Sequence, residues 1–287
     1  LYKNHINEFK QLSVVSPWLL VVLVVLFVIS YFFVSFAVRT LLITLKIKLK
    51  IFESFKLAIV NGFYNLITPF RGGIAVRAIY LKNKYNLHYT DFVTVAGAIA
   101  VIAAIAESAI GILAIFVLYK TENILSWPLF FLFLITFIAF SLGLLFAPRL
   151  KLTKNKFFNY IVLMTHSWHR IKADKKSIFM ALLFSALQLV IGTISVLLSY
   201  RFFGVEVSLT KAIILTFVGG LLIFVAITPG GLGIQEAIIV FSAVTIGITP
   251  AQSLSAALLL RGVSFIVLFI LGPIFSYVLM KKIEKKR

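Results

Sequence analysis

The sequence predicts an all-α polytopic membrane bundle made of two inverted repeats, each containing a broken or re-entrant helix hairpin. Three observations carry that expectation. Of 287 residues, 61% are hydrophobic and only 13% charged, with a mean hydropathy of +1.08, whereas a soluble chain carries about 25% charged residues. Several charge-free runs are long enough to cross hydrocarbon about 30 Å thick, which takes roughly 20 helical residues. Two shorter apolar segments are interrupted by Pro and Gly and resemble each other. A soluble fold would have to expose contiguous apolar surface far larger than monomers tolerate.

In chain order, the first expected span is Pro17 to Val38, closed by Arg39 and a basic connection with Lys46, Lys48, Lys50 and Lys56. Leu57 to Phe70 is apolar but short and is broken by Pro69 and Arg71-Gly72-Gly73, continuing weakly to Leu81. Phe92 to Tyr119 reads as a full helix with Glu107 near its middle, and Asn123 to Pro148 as another. The polar stretch from Lys151 to Lys176 includes a candidate amphipathic helix, Phe157 to Ile171, and belongs to a basic cytoplasmic connection over residues 149–176. Ser177 to Tyr200 is a span containing Gln188. Ala212 to Thr228 runs into Pro229-Gly230-Gly231-Leu232-Gly233, then Gln235-Glu236 and apolar sequence to Ile248. Pro250 to Met280 carries Arg261 and ends in a basic tail. One integral membrane domain over 1–287 is expected, with internal repeats near 55–119 and 212–280. Because the chain starts at Leu1, a further segment upstream is expected.

A shift of 160 residues aligns Ile67-Thr68-Pro69 with Ile227-Thr228-Pro229 and Gly73-Ile74 with Gly233-Ile234. If each broken segment enters and leaves on one side, most of the 28 basic residues fall on the side of the first connection. A positive-inside bias makes that side cytoplasmic. The first segment then enters from inside and the second from outside, so the repeats are inverted. The alternative is two kinked helices that cross fully. Irregular backbone at membrane depth is tolerated only where protein or a wet cavity satisfies it, and transporters place binding sites at such repeat interfaces.

The candidate binding residues follow from cost. Asn61 and Asn65 are four apart and share a helix face. Arg71 arrives at the break, and Arg77 lies six residues on, near the expected membrane surface; guanidinium forks suit phosphate or carboxylate. Glu236 falls in the first turn of a helix, where the dipole favours its charge. Glu107 and Arg261 lie deep in apolar helices, where an ionised group costs about 2.5–3.5 kcal/mol on insertion scales. Glu107 pairs with Arg261 or with Arg71, a choice the sequence leaves open. Gln188 is a weaker candidate, since a membrane amide often glues helices. Pro69, Gly72, Gly73, Pro229, Gly230, Gly231 and Gly233 serve as hinges. With no cysteine and no assembled Ser–His–acid or metal set, no catalytic residue, metal or cofactor is expected. The +19 net charge falls between apolar runs, so no direct nucleic-acid binding is expected either.

The pattern Asn61-x-x-x-Asn65-x-x-x-Pro69-x-Arg71-x-Gly73-x-x-x-Arg77 resembles a signature of the lysylphosphatidylglycerol synthase transmembrane region. Pro229-Gly230-Gly231-Leu232-Gly233-x-x-Glu236 with Arg261 resembles a second. The resemblance covers essentially the whole chain. It implies a flippase-like membrane domain of the multiple peptide resistance factor type, moving a phospholipid such as aminoacylated phosphatidylglycerol between leaflets of a prokaryotic plasma membrane. It covers the membrane half alone, so no aminoacyltransferase activity is expected from this chain. The alternatives are the membrane part of a lysyltransferase, or a noncatalytic partner in polyprenyl-linked envelope glycan assembly. Expected partners are a phospholipid or polyprenyl lipid, a separate aminoacyltransferase or glycosyltransferase, and further copies in an oligomer.

Overall fold

In the computed structural model, residues 14–145, 156–225 and 228–284 are described. Every regular element among them is helical: α1 (Leu19–Thr44), α2 (Ile51–Ile67), α3 (Gly73–Tyr85), α4 (Tyr89–Glu122), α5 (Trp127–Leu145), α6 (Lys156–Ala173), α7 (Lys175–Phe202), α8 (Leu209–Leu221), α9 (Ile234–Val244) and α10 (Pro250–Glu284). Short 3-10 turns at Pro69–Arg71, Leu222–Phe224 and Pro229–Gly231 fill the breaks.

α1, α4, α7 and α10 are long and apolar enough to cross a membrane, whereas the apolar part of α5, Trp127–Gly143, is shorter. The chain is a multi-pass membrane protein. Its helices start and stop where side chains permit. Asp174 caps α7 by accepting from the Ser177 N–H at 3.0 Å, and α3 and α4 end on Asn86 and Asn123, both at φ 54. Asn tolerates that left-handed conformation better than most residues, because its short polar side chain can hydrogen-bond locally. Small residues let helices approach, as lipid offers no hydrophobic drive for helix association. Gly111 of α4, for example, leaves room only for the Phe133 ring of α5.

Two buried clusters define the ends of the bundle. The first gathers Leu41 of α1, Leu57 of α2, Leu81 of α3, Val95 of α4, Ala181 of α7 and Leu279 of α10. The second gathers Leu118 of α4, Leu129 of α5, Tyr200 of α7, Ile214 of α8, Ala243 of α9 and Ala256 of α10. Since α4, α7 and α10 each contribute opposite ends to the two clusters, the clusters lie at opposite ends of the long helices. α2 begins and α3 ends in the first cluster, while α8 begins and α9 ends in the second.

Polar ties reinforce both ends. Glu53 Oε1, in the first turn of α2 and outside the four long spans, accepts from Lys84 Nζ at 2.7 Å and from the hydroxyls of Tyr80 and Tyr85 at 2.8 Å each. Burial works against the Glu53 charge, but these donors outweigh it and hold the carboxyl below its ordinary range. At the other end Lys211 pairs with Glu122 at 2.7 Å, and Ser126 donates to Thr245 at 2.8 Å.

The α6 helix is tied to α4 by polar contacts. Ser167 is buried and donates to Asp91 of α4, which also accepts from Arg170 at 2.8 Å. The docking acid is thus supplied by α4. Residues 149–155 of the basic connection lie outside the described residues, as does Ile227 of the repeat match.

Candidate functional site

The two breaks open with the same backbone, from Thr68 to Arg71 and from Thr228 to Gly231. Thr68 and Thr228 are extended (φ −117, ψ 146 and φ −76, ψ 155), each is followed by Pro, and the next residues, Phe70 and Gly230, are left-handed (φ 51, ψ 28 and φ 58, ψ 12). Arg71 and Gly231 follow at φ 57 and φ 66. The likeness extends to conformation over these four positions and ends there, since Gly72 is helical (ψ −16) whereas Leu232 is extended (ψ 131), and Gly233 has a positive φ of 79 that Gly73 does not share. Glycine adopts positive φ freely, but an L side chain there costs about 1–2 kcal/mol. The first break keeps Phe70 and Arg71 in that strained geometry where the second uses two glycines. Such strain gathers at functional sites.

The breaks meet. Gly230 sits so close to Leu66, at the end of α2, that an added Cβ would come 3.0 Å from its side chain. Around this junction lies a cavity of about 580 Å³, within the roughly 300–1,000 Å³ typical of small-molecule sites. Asn61 and Asn65 both line it from one face of α2, and Arg71 lines it from the first break. Gln188 of α7, Gly230 and Gly231 of the second break, Glu236 of α9 and Arg261 of α10 complete the expected set on its wall. Pro69, Gly72, Gly73, Pro229 and Gly233 shape the turns behind it.

Arg261 organises the second break. Its Nη2 donates to the Gly230 carbonyl at 2.6 Å and to Gln235 Oε1 at 3.1 Å, and its Nη1 pairs with Glu236 Oε1 at 2.7 Å. The other Glu236 oxygen accepts from the Gly233 N–H at 2.8 Å, closing the first turn of α9 as the dipole argument anticipated. This corrects the expected Glu107 pairing. The tight Gly233 turn points Glu236 at α10, so Arg261 is already engaged, and Arg71 makes no ion pair among the described residues. Glu107 instead lies against the backbone of Gly220, which faces the cavity on its other side; no side chain larger than hydrogen fits between them.

Arg77 departs from the expected binding set: it is buried, at 5% exposure, and it does not line the cavity. The reason is Gly73. Any Cβ there would overlap the Asn61 carbonyl oxygen, so α3 packs tightly on α2. Arg77 lies one turn further along the same face and is carried inward.

Arg71 is the cavity's unsatisfied charge. Its Nε is buried without a hydrogen-bond partner, whereas the Arg261 charge is balanced by Glu236. Asn65 Oδ1 is likewise unpaired. The sequence did not single out Ser30, Tyr31, Gln235 or Ser264, all of which line the cavity. Ser30-Tyr31 inside a charge-free helix, and Ser264 three residues after Arg261 on one helix face, were the available signals.

A family model described as the lysylphosphatidylglycerol synthase TM region matches residues 7–272. No curated protein and no solved structure matches the chain. The chain belongs to the lysylphosphatidylglycerol synthase transmembrane-region family, a membrane family linked by its description to lysylphosphatidylglycerol synthesis.

Proposed function

We propose that this chain is a phospholipid translocase whose polar cavity carries a headgroup across the bilayer while the acyl chains stay in lipid. The reading rests above all on Arg71, a half-buried guanidinium without an ion pair, its Nε buried and unpartnered, held in strained backbone on the wall of a polar cavity within a membrane bundle. An ionised group in such a setting costs several kcal/mol if nothing balances it. A headgroup phosphate supplies the balance, accepting from the guanidinium fork in charge-assisted hydrogen bonds.

In this reading the two broken segments are re-entrant hairpins of opposite orientation. The supporting geometry is the return of α3 to the end where α2 starts, and of α9 to the opposite end where α8 starts. The inverted pair is the element that rocks between inward and outward access, as in other inverted-repeat transporters. Asn61, Asn65, Gln188 and Gln235 offer amide donors and acceptors to the glycerol and any amino group of the head. The Arg261–Glu236 pair holds the second break in shape. Aminoacylated phosphatidylglycerol is the favoured cargo, made by a separate aminoacyltransferase in a prokaryotic plasma membrane; its extra amine suits a cavity with amide oxygens, among them the unpartnered Asn65 Oδ1.

The test is leaflet exchange of labelled phosphatidylglycerol and lysylphosphatidylglycerol in vesicles reconstituted with the protein. Exchange above protein-free vesicles, lost in Arg71→Gln at equal incorporation, supports the reading. Equal exchange by wild type and Arg71→Gln removes its basis.

A further inference from the structure

A second space lies away from the breaks, between α4, α5 and α6. It measures about 400 Å³, and its walls include Val93, Gly97, Val101, Phe140, Gly143 and Trp168. It shares no lining residue with the cavity at the breaks. Missing side chains make it: a Cβ at Gly97 or at Gly143 would meet nothing within 4 Å, whereas Gly111, further along the same helix pair, faces the Phe133 ring. The two threonines on the wall, Thr94 and Thr165, donate to carbonyls of their own helices at 2.8 Å each, so their hydroxyls are spent. Water finds too few polar partners in such a space, and proteins leave few voids of this size unfilled. An apolar guest fills it.

The groove has a polar end. α6 runs antiparallel to α4, since Asp91 accepts from Ser167 and Arg170 while Thr94 reaches the Met164 carbonyl. Trp168 therefore stands near the start of α4. From Val93 to Val101 the groove extends about 12 Å, at 1.5 Å per helical residue. The Trp168 Nε1 is buried without a hydrogen-bond partner. Lys172 lies one turn beyond Trp168 on the same face of α6, and Lys172, Lys175 and Lys176 are all exposed. A basic rim thus borders the polar end of an apolar groove.

We propose that this groove holds one acyl chain of a resident anionic phospholipid, with its ester region at Trp168 and its phosphate on the rim of Lys172, Lys175 and Lys176. Charge complementarity selects the occupant. Basic clusters beside a membrane span attract anionic lipids, and Trp sits at the level where headgroup meets hydrocarbon. A zwitterionic lipid or an apolar helix leaves the rim unmatched. The bound lipid staples α6 to α4 and α5, a role that does not rest on the translocase reading.

Fluorescence quenching tests the site without transport. The chain's three tryptophans are Trp18, Trp127 and Trp168, so Trp18→Phe with Trp127→Phe leaves Trp168 as the sole indole emitter in the full-length protein. This parent is reconstituted in phosphatidylcholine vesicles containing graded fractions of phosphatidylglycerol or phosphatidylcholine brominated on the acyl chains, which quench on contact. Brominated phosphatidylglycerol is expected to reach half-maximal quenching at a fraction on the order of fivefold lower, the worth of one lysine near a lipid surface. Gly97→Leu fills the groove and removes that advantage; Gly143→Leu, from the facing helix, replaces it if the first does not reconstitute. Lys172→Gln, Lys175→Gln and Lys176→Gln together leave the quenching in place and equalise the two lipids. Equal quenching by both lipids in the parent, or an advantage that survives filling of the groove, overturns the site. Absence of quenching by either lipid shows a groove closed to lipid and overturns it as well.

Discussion

Arg261 on α10 and Glu236 on α9 stand 2.7 Å apart, and the same guanidinium holds the Gly230 carbonyl, so one side chain ties the last long helix to both limbs of the second break. Both partners are largely buried, with side-chain exposures of 11% and 13%. Removing one member of a buried pair strands the other, at a cost of about 3–5 kcal/mol. Arg261→Leu is therefore expected to lower thermal stability in detergent sharply. Arg261→Lys, which keeps charge but not the fork, should fall between it and wild type. An Arg261→Leu protein as stable as wild type would show that the tie is dispensable.

Gly73 and Gly262 make a controlled pair. A Cβ at Gly73 overlaps the backbone oxygen of Asn61, whereas one at Gly262 meets nothing within 4 Å. Gly73→Ala should cost about 3 kcal/mol or more, since backbone cannot yield as a side chain does. Gly262→Ala should leave stability within about 0.5 kcal/mol. Melting curves of the two variants decide the matter.

Strain and function are separable at residue 71. Arg71→Gly relieves a left-handed Arg at φ 57 and should match or exceed wild-type stability by about 1 kcal/mol, while abolishing lipid exchange. A gain in stability with loss of activity is the trade-off expected of a strained functional residue. Loss of both together would mean that Arg71 is structural.

The tie at Glu53 should titrate. Its carboxyl is held below the ordinary value of 4.5, so the native state favours the charged form. The stabilisation is complete above that ordinary value and is lost as pH falls through the lower native one. Wild-type melting temperature should drop more steeply than that of Glu53→Gln as pH falls below about 4.5. Parallel curves would remove Glu53 from the account.

Much of this was legible in the chain. The Ile-Thr-Pro match announced two breaks that open with the same turn, and polar residues in an apolar context picked out six of the ten polar side chains on the cavity wall. What escaped depended on packing. Arg77 read as a binding residue because nothing in its neighbours discloses that Gly73 lets α3 close onto the Asn61 carbonyl. The partner of Arg261 was sought in Glu107 because both lie mid-helix, whereas a positive φ of 79 at Gly233 turns Glu236 toward it. Tyr31 gave little signal, since an aromatic in a membrane helix usually faces lipid or packs. The Asp91–Arg170 tie joins residues 79 apart, beyond any local pattern.

The central claim is that two opposed broken hairpins meet around one polar cavity. The chain has no cysteine, so single cysteines at Phe52 and Lys82 mark the two ends of the first hairpin, and at Leu209 and Val244 those of the second. Labelling with an impermeant thiol reagent in sealed, oriented vesicles is expected to reach Phe52→Cys and Lys82→Cys from one face and Leu209→Cys and Val244→Cys from the other. Finding the two ends of either hairpin on opposite faces would contradict the account.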